Sequence, residues 1–302
     1  MRHLFLIPAC LFLLSGDSFA QLTAAQTSRI VIGGIHLRPT HVEAHRKFWV
    51  DALGGQARKI GNNFMAMFPE GFIEIGTPSF GCPPAASTSG VGTCEQKPWG
   101  GTRGTNINHV GLSVQDLRAA MTRATAQGYP VVTRAELPPA DAKGEKDGIA
   151  FRADHKANVA IVQGPDGVLV ELVEAPSQTL PVVFHHLHFE SPDVAQMIEW
   201  YTKAFSGKAA AAGNEAVFPG AVLTFTASAD PRVSTRGRIL DHFVFEIRDL
   251  DSYIKHLKDI GIKFQTPYYK PNLADWGDWR SVFLMDPWGT FVELTQGAYK
   301  VH

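Results

Sequence analysis

The sequence has few cysteines, almost no net charge and no long hydrophobic run beyond its N-terminus. Its 302 residues include 3 cysteines and carry a formal net charge of -1. This balance gives no indication of a nucleic-acid partner or of an anionic membrane surface. No segment after the first 20 residues approaches the ~20 apolar residues that cross a bilayer. The mature chain is therefore expected to bind neither nucleic acid nor membrane.

The first 20 residues are typical of a secretory signal peptide. A basic start at Met1-Arg2-His3 precedes an apolar region over residues 4–14, and Ser18-Phe19-Ala20 supplies the small residues that a signal peptidase recognises. The mature chain is predicted to begin near Gln21 and to be secreted or periplasmic. The alternative is a lipoprotein signal acylated on Cys10, which is disfavoured because the apolar region continues beyond that cysteine.

Signal cleavage would remove Cys10 and leave two cysteines, Cys82 and Cys94. They bracket the segment 83–90, which is rich in proline, serine and glycine and unsuited to a core. Two cysteines in an exported chain predict a disulfide bond that constrains this loop. Two free thiols that happen to lie close together are the alternative.

Internal repetition is the most informative feature of the chain. Four segments share one layout, and in three of them an alternating apolar run contains a histidine seven positions before an aspartate. Such a run predicts a strand, and the aspartate lies where a helix would begin. The three pairs are His109 and Asp116, His186 and Asp193, and His242 and Asp249. The first segment is a weaker copy, in which Gly34 aligns with His186 and His36 aligns with His188.

Each copy is predicted to close with a further strand. Three of these strands carry a glutamate between apolar neighbours, namely Glu74, Glu171 and Glu293, and the third copy has none. The layout predicts an α+β protein of four βαβββ modules. Modules 1 and 2 would occupy residues 28–176, and modules 3 and 4 would occupy residues 180–298.

The recurrence of histidine and glutamate at equivalent places indicates a metal site. An ionised glutamate between apolar residues is costly to bury and needs a cation or hydrogen-bond donors. In the second half the predicted ligands are His186, His242 and Glu293. Two imidazoles and one carboxylate suit a divalent ion such as Fe, Mn, Zn or Ni, whose identity the residues leave open.

The first half contains a less complete set. It has Glu74, His109 and Glu171, with Gly34 at the place of a second histidine. His36 lies two residues further on and faces the same side of a strand, so it is a possible substitute. The expected outcome is a degenerate half that retains the scaffold.

These residues resemble the vicinal oxygen chelate superfamily, which includes glyoxalase I, fosfomycin-resistance proteins, methylmalonyl-CoA epimerase and extradiol dioxygenases. The resemblance covers nearly all of the mature chain. Besides the strand histidines, it is carried by Phe48-Trp49-Val50-Asp51-Ala52-Leu53-Gly54 and by Asp286-Pro287-Trp288-Gly289-Thr290-Phe291-Val292-Glu293. It implies that module 1 pairs with module 2, and module 3 with module 4, each pair forming a half-open barrel around a cavity.

Three functions follow from this resemblance. The first is a glyoxalase-like lyase or isomerase, in which a metal chelates a small oxygen-bearing substrate and His188 moves the proton; a cavity-lining or core histidine is the alternative role for His188. The second is an extradiol dioxygenase, although Val282-Phe283 replaces the family's aliphatic-tyrosine pair and no histidine lies between Phe189 and Asp241. The third is a protein that binds a small ligand or metal without turnover.

Overall fold

The computed structural model describes residues 28–60, 63–76, 100–265 and 279–298. The predicted signal peptide at residues 1–20 and the predicted bond between Cys82 and Cys94 lie outside these ranges and stay predictions. Within the described ranges, no helix is long and apolar enough to cross a membrane.

The first two modules each consist of a strand, a helical segment and three further strands. Module 1 contains β1 (Ile30–Leu37), α1 (Val42–Arg46, continued as a π-helix over Lys47–Ala52), β2 (Gln56–Ile60), β3 (Asn63–Phe68) and β4 (Gly71–Ile75). Module 2 contains β5 (Ile107–Val114), α2 (Leu117–Ala126), α3 (Thr133–Glu136), α4 (Pro139–Ala142), β6 (Ala150–Arg152), β7 (Ala157–Gln163), a 3-10 turn (Pro165–Gly167) and β8 (Leu169–Glu174).

Module 3 repeats this layout, and module 4 shows a strand, a helix and two further strands within the described ranges. Module 3 contains β9 (Val182–Ser191), α5 (Val194–Phe205), β10 (Lys208–Ala209), β11 (Glu215–Val217) and β12 (Val222–Ala227). Module 4 contains β13 (Leu240–Ile247), α6 (Leu250–Asp259), β14 (Arg280–Met285) and β15 (Phe291–Gln296). An isolated bridge also joins Phe264 to Leu284 of β14. The α+β class and the repeated module predicted from the sequence are confirmed.

The aspartates that end each repeated motif are the residues that precede the helices. The side chain of Asp116 accepts a hydrogen bond from the Ala119 amide at 2.9 Å, and Asp249 accepts one from the Ser252 amide at 3.2 Å. Each bond satisfies an amide that has no partner within its helix. Asp193 precedes α5 in the same way, without a side-chain bond of this kind. The predicted helix starts are therefore confirmed.

The strands form two mixed sheets. We call the first the 1/4 sheet, with order β14-β15-β13-β1-β4-β3-β2, and the second the 2/3 sheet, with order β10-β11-β12-β9-β5-β8-β7-β6. At the centre of each sheet, the first strands of two modules pair antiparallel, β1 with β13 and β5 with β9. Each sheet is half-open rather than a closed barrel, as predicted.

The predicted choice of partner modules is wrong. Module 1 pairs with module 4, and module 2 pairs with module 3. The physical reason is that the four first strands carry similar alternating patterns, so their hydrophobic faces do not specify which pair of them becomes adjacent. Both sheets therefore take strands from both halves of the chain. The division of the chain into an N-terminal domain (residues 28–176) and a C-terminal domain (residues 180–298) stays a prediction.

Aromatic side chains join the two sheets in one hydrophobic core. Phe189 of the 2/3 sheet lies 5.9 Å from Phe243 of the 1/4 sheet, measured between ring centroids. Phe189 also contacts Tyr201 of α5, whose hydroxyl donates to Asp286 at 2.8 Å. On β9, Leu187 and Phe189 face this core, so the alternating His186 and His188 face the other side of the sheet. This alternation positions the candidate site.

Candidate metal centre

The structure does not bring the three predicted ligands together. His242 and Glu293 lie on adjacent strands of the 1/4 sheet, with Nε2 and Oε2 3.2 Å apart. His186 lies on β9 of the 2/3 sheet, where its Nε2 is 3.4 Å from Oε2 of Glu171. The grouping of these residues in one site is therefore corrected. It fails because β9 pairs with β5 of module 2 and not with a strand of module 4.

A group of imidazoles surrounds the Glu171 carboxylate on the 2/3 sheet. We call Glu171, His109, His155 and His186 the Glu171 cluster. Measured from Oε2 of Glu171, the Nε2 atoms lie at 3.0 Å for His155, 3.4 Å for His186 and 3.8 Å for His109. The carboxylate comes from β8, two of the histidines come from β5 and β9, and His155 comes from the turn between β6 and β7. Strand pairing thus brings together residues from modules 2 and 3.

The facing atoms of the Glu171 cluster are buried and have no hydrogen-bond partner. They are both carboxylate oxygens of Glu171 and the Nε2 atoms of His109, His155 and His186. Buried polar atoms are normally satisfied, and leaving one unsatisfied costs about 1–3 kcal/mol. A cation bound among these atoms would satisfy all of them together. The cluster therefore fits a metal ion on the chemistry of its donors.

The spacing of the atoms also fits a metal ion. With metal–ligand distances of about 2.1 Å, neighbouring ligand atoms are roughly 3.0 Å apart in octahedral and 3.4 Å apart in tetrahedral geometry. The distances from Glu171 to His155 and His186 fall at these values, and the distance to His109 exceeds them by a few tenths of an ångström. In each of two groups of three residues, the potential ligand atoms lie within 4.8 Å of one another. One group is His155, Glu171 and His186, and the other is His109, His186 and His188.

Neighbouring groups orient two of the imidazoles. The Nδ1 of His109 is 2.9 Å from Oδ1 of Asn108, and the Nδ1 of His186 is 2.8 Å from Nδ1 of His185. Because the Asn108 oxygen accepts, His109 carries its proton on Nδ1 and presents a bare Nε2 lone pair. A metal-binding histidine is oriented in this way by a partner on its other nitrogen.

Two members of the cluster, Glu171 and His186, have the charge states of metal ligands. Burial acts to raise the pKa of Glu171, but its contacts with His109 and His155 outweigh burial and hold this pKa well below its usual range. Burial lowers the pKa of His186 well below its ordinary value. At neutral pH the carboxylate is therefore ionised and the imidazole is neutral, which are the forms that bind metals.

His188, the predicted proton-transferring residue, lies beside this cluster. Its ring stacks on His109 with centroids 4.3 Å apart, and its Nδ1 is 2.9 Å from Oγ1 of Thr224. Both histidines line a cavity of about 220 Å³, which also contacts Arg152. The predicted proximity of His188 to His186 is confirmed, with ring centroids 6.4 Å apart.

The 1/4 sheet holds a second polar cluster of different character. His242 contacts Asp241 through Nδ1 at 2.9 Å, and its Nε2 lies near both Glu293 and His36 Nδ1, the latter at 3.1 Å. Burial lowers the pKa of His242, but its bonds to Asp241 and Glu293 outweigh burial and raise it to about 9. Glu74 accepts from Asn63 at 2.6 Å. The polar groups of the 1/4 sheet are therefore hydrogen-bonded and ion-paired to one another at neutral pH. The facing atoms of the Glu171 cluster, in contrast, have no hydrogen-bond partner.

The repeated sequence pattern does not identify two histidines of these clusters as site residues. His155 lies in the turn between β6 and β7, and no histidine recurs in the corresponding segments of the other modules, so no repeated pattern marks it. The sequence predicts His36 only as a substitute ligand in the first half, and the structure places it opposite His242 because β1 pairs with β13.

Gly111 of β5 provides the space that His186 occupies. A Cβ atom at this position would lie 2.0 Å from Nδ1 of His186. Gly111→Ala is therefore expected to displace the imidazole and to weaken zinc binding by about tenfold or more, as measured by calorimetric titration. The matched control is Gly144→Ala, where a Cβ would meet only the Asp141 carbonyl oxygen, at 3.8 Å. Equal zinc affinity in both variants would contradict this role for Gly111.

Paired βαβββ modules with polar clusters on their sheets define a known class of protein. The family model described as Glyoxalase/Bleomycin resistance protein/Dioxygenase superfamily matches residues 31–172 and 183–294. The chain belongs to this superfamily. No curated protein matches the chain in sequence.

Solved structures show the same fold at low sequence identity. Glyoxalase I from Zea mays is 15% identical with a TM-score of 0.61, and the match covers 90% of this chain and 94% of that chain. A putative dioxygenase from Bacillus subtilis is 12% identical with a TM-score of 0.58, and the match covers 89% of this chain and 85% of that chain. Both matches extend over all four modules.

Proposed function

We propose that the protein is a metal-dependent enzyme that binds a small oxygen-bearing substrate at the Glu171 cluster and catalyses a glyoxalase-like lyase or isomerase reaction. The observation that carries this proposal is the convergence of buried, unsatisfied nitrogen and oxygen atoms on one point. Glu171, His109 and His186 would hold the divalent ion. When bound, the ion would supply Lewis acidity to the substrate oxygens.

His188 has the properties of the base in such a reaction. Burial lowers its pKa well below the ordinary value, so the ring is neutral and able to accept a proton at neutral pH. In the tautomer that donates from Nδ1 to Thr224, Nε2 is the basic nitrogen. His188 would take a proton from one carbon of the substrate and return it to a neighbouring carbon. Substrate and product then have the same composition, and no oxidant is required.

The cavity beside His188 limits the substrate to a small polar molecule. Its volume is about 220 Å³, and its lining includes Arg152, Glu136 and Glu190. Glu136 is paired with Arg103, and Glu190 is paired with Arg232. These charged groups favour a substrate with hydrogen-bonding oxygens over a purely apolar one.

The second candidate function is ring cleavage of the extradiol type. Two of the histidines and the single carboxylate of the Glu171 cluster are the ligand types of the two-histidine, one-carboxylate iron(II) site of oxygenases. Bound iron together with oxygen consumption on catechols would favour this function. Zinc, nickel or manganese without oxygen dependence would favour the lyase or isomerase.

Replacement of His188 tests the proton-transfer role. His188→Gln is expected to retain metal and to lose at least about 100-fold in the rate of solvent deuterium incorporation into α-hydroxycarbonyl compounds, because a positioned base contributes about 10²–10⁴-fold. Metal content is measured by elemental analysis and exchange by NMR. His41→Gln, at an exposed histidine, is the matched control. Full exchange activity in the His188 variant would contradict the assignment, and stable metal binding without any turnover would indicate a binding protein.

A further inference from the structure

His155 reaches the Glu171 cluster from an unexpected part of the module. The other members lie on β5, β8 and β9, which are the first or last strands of their modules. His155 lies instead in the turn over residues 153–156, between β6 and β7. β6 is the edge strand of the 2/3 sheet, so this hairpin borders the cluster from outside the central strands.

Local contacts hold the turn in a shape that directs His155 inward. Nε of Arg152 donates to Oδ1 of Asp154 at 3.1 Å, and the same oxygen accepts from the His155 amide at 3.0 Å. Lys156 completes the turn with a left-handed φ of 54°. As a result, the His155 side chain is only 4% exposed although both of its neighbours in the turn are exposed.

The contact between His155 and Glu171 has the distance of a hydrogen bond but not its geometry. Nε2 and Oε2 are 3.0 Å apart, yet both atoms are without a hydrogen-bond partner. Ligand atoms that share one ion lie at such separations without a hydrogen bond between them. Their separation is that of neighbouring octahedral ligands, which is about 3.0 Å.

We infer that His155 is a further metal ligand, supplied by the β6–β7 hairpin, and that the hairpin covers the metal from the edge of the 2/3 sheet. This inference rests on the proposed metal site at the Glu171 cluster. The hairpin then belongs to the binding machinery rather than to the scaffold. An ion at this site would leave only after the turn over residues 153–156 moves away.

A cobalt titration tests the inference on the intact protein. His155→Gln is expected to bind Co²⁺ at least about tenfold more weakly than the wild type, with a changed visible absorption spectrum because one nitrogen ligand is lost. His256→Gln, at an exposed histidine of α6, is the matched control and should reproduce the wild-type affinity and spectrum. Unchanged affinity and spectrum in His155→Gln would overturn the inference.

Hydrogen exchange on the wild type gives a second measurement that needs no variant of the hairpin. Saturating Zn²⁺ is expected to slow amide exchange at residues 153–156, because coordination of His155 fixes the turn. Full zinc occupancy without such protection would refute the role of His155.

The outcomes separate this inference from the proposed function. If Co²⁺ binds and Glu171→Gln weakens it but His155→Gln does not, the metal site stands and the His155 assignment fails. If the wild type binds no Co²⁺, the proposed function and the inference fail together.

Discussion

Replacement of Glu171 by glutamine is expected to weaken divalent-metal binding by more than about 100-fold. Glutamine has nearly the same shape but carries no charge, and an ionised carboxylate is the group around which the three imidazoles converge. Loss of residues that merely orient ligands already costs about 10–100-fold in affinity, so loss of the central ligand should exceed this. Zinc titration by calorimetry measures the change, with circular dichroism to establish that the variant is folded.

Glu293→Gln is the matched control for this prediction. Glu293 is also buried and also lies on the closing strand of its module, but it contacts His242 on the 1/4 sheet. Its replacement should leave zinc affinity at the Glu171 cluster unchanged. If Glu293→Gln abolished zinc binding and Glu171→Gln did not, the metal site would lie in the 1/4 sheet, and the proposal made for the 2/3 sheet would be rejected.

Truncation of Phe189 is expected to lower the free energy of unfolding by about 3–5 kcal/mol. The side chain is fully buried, and its ring contacts Phe225 at 5.2 Å and Phe243 at 5.9 Å between centroids. Phe189→Ala would open a cavity between the two sheets, and neighbours fixed by strand pairing refill such a space only partially. Urea denaturation followed by tryptophan fluorescence measures the change.

Phe151→Ala is the comparison variant for this stability change. Phe151 is 60% exposed on edge strand β6, so its loss should change the free energy of unfolding by no more than about 0.5 kcal/mol. If Phe189→Ala and Phe151→Ala lowered the free energy of unfolding by similar amounts, the packing of Phe189 between the sheets would not be the source of the expected loss of about 3–5 kcal/mol.

Local structure was the most predictable part of this protein. The aspartates at positions 116, 193 and 249 marked helix starts because the physics of a helix N-terminus is contained in a few consecutive residues. Closing strands with Glu74, Glu171 and Glu293 were predicted for the same reason, since alternation is a local pattern.

The choice of strand partners was less predictable. His36 pairs with His242, and His109 pairs with His188, but each first strand offers a similar face to any of the others. Strand pairing decides which residues come together in a site. Because the sequence predicted the wrong partner modules, it assigned His186 to a site with His242 and Glu293 instead of to the Glu171 cluster. His155 could not be predicted for a different reason: the corresponding segments of the other modules contain no histidine, so repetition does not mark this position.

The pairing of module 1 with module 4 and of module 2 with module 3 also determines the order in which strands can pair during synthesis. The strands of modules 2 and 3 are consecutive in the chain, and β9 can pair with β5 soon after it is made. β1 must wait for β13, and the contacting His36 and His242 are 206 positions apart. The first strand to be synthesised can pair early with β4 of its own module, but it is among the last to find its second neighbour. A nascent chain of this protein would carry an unpaired β1 edge until module 4 emerges, a state that favours aggregation and slow folding.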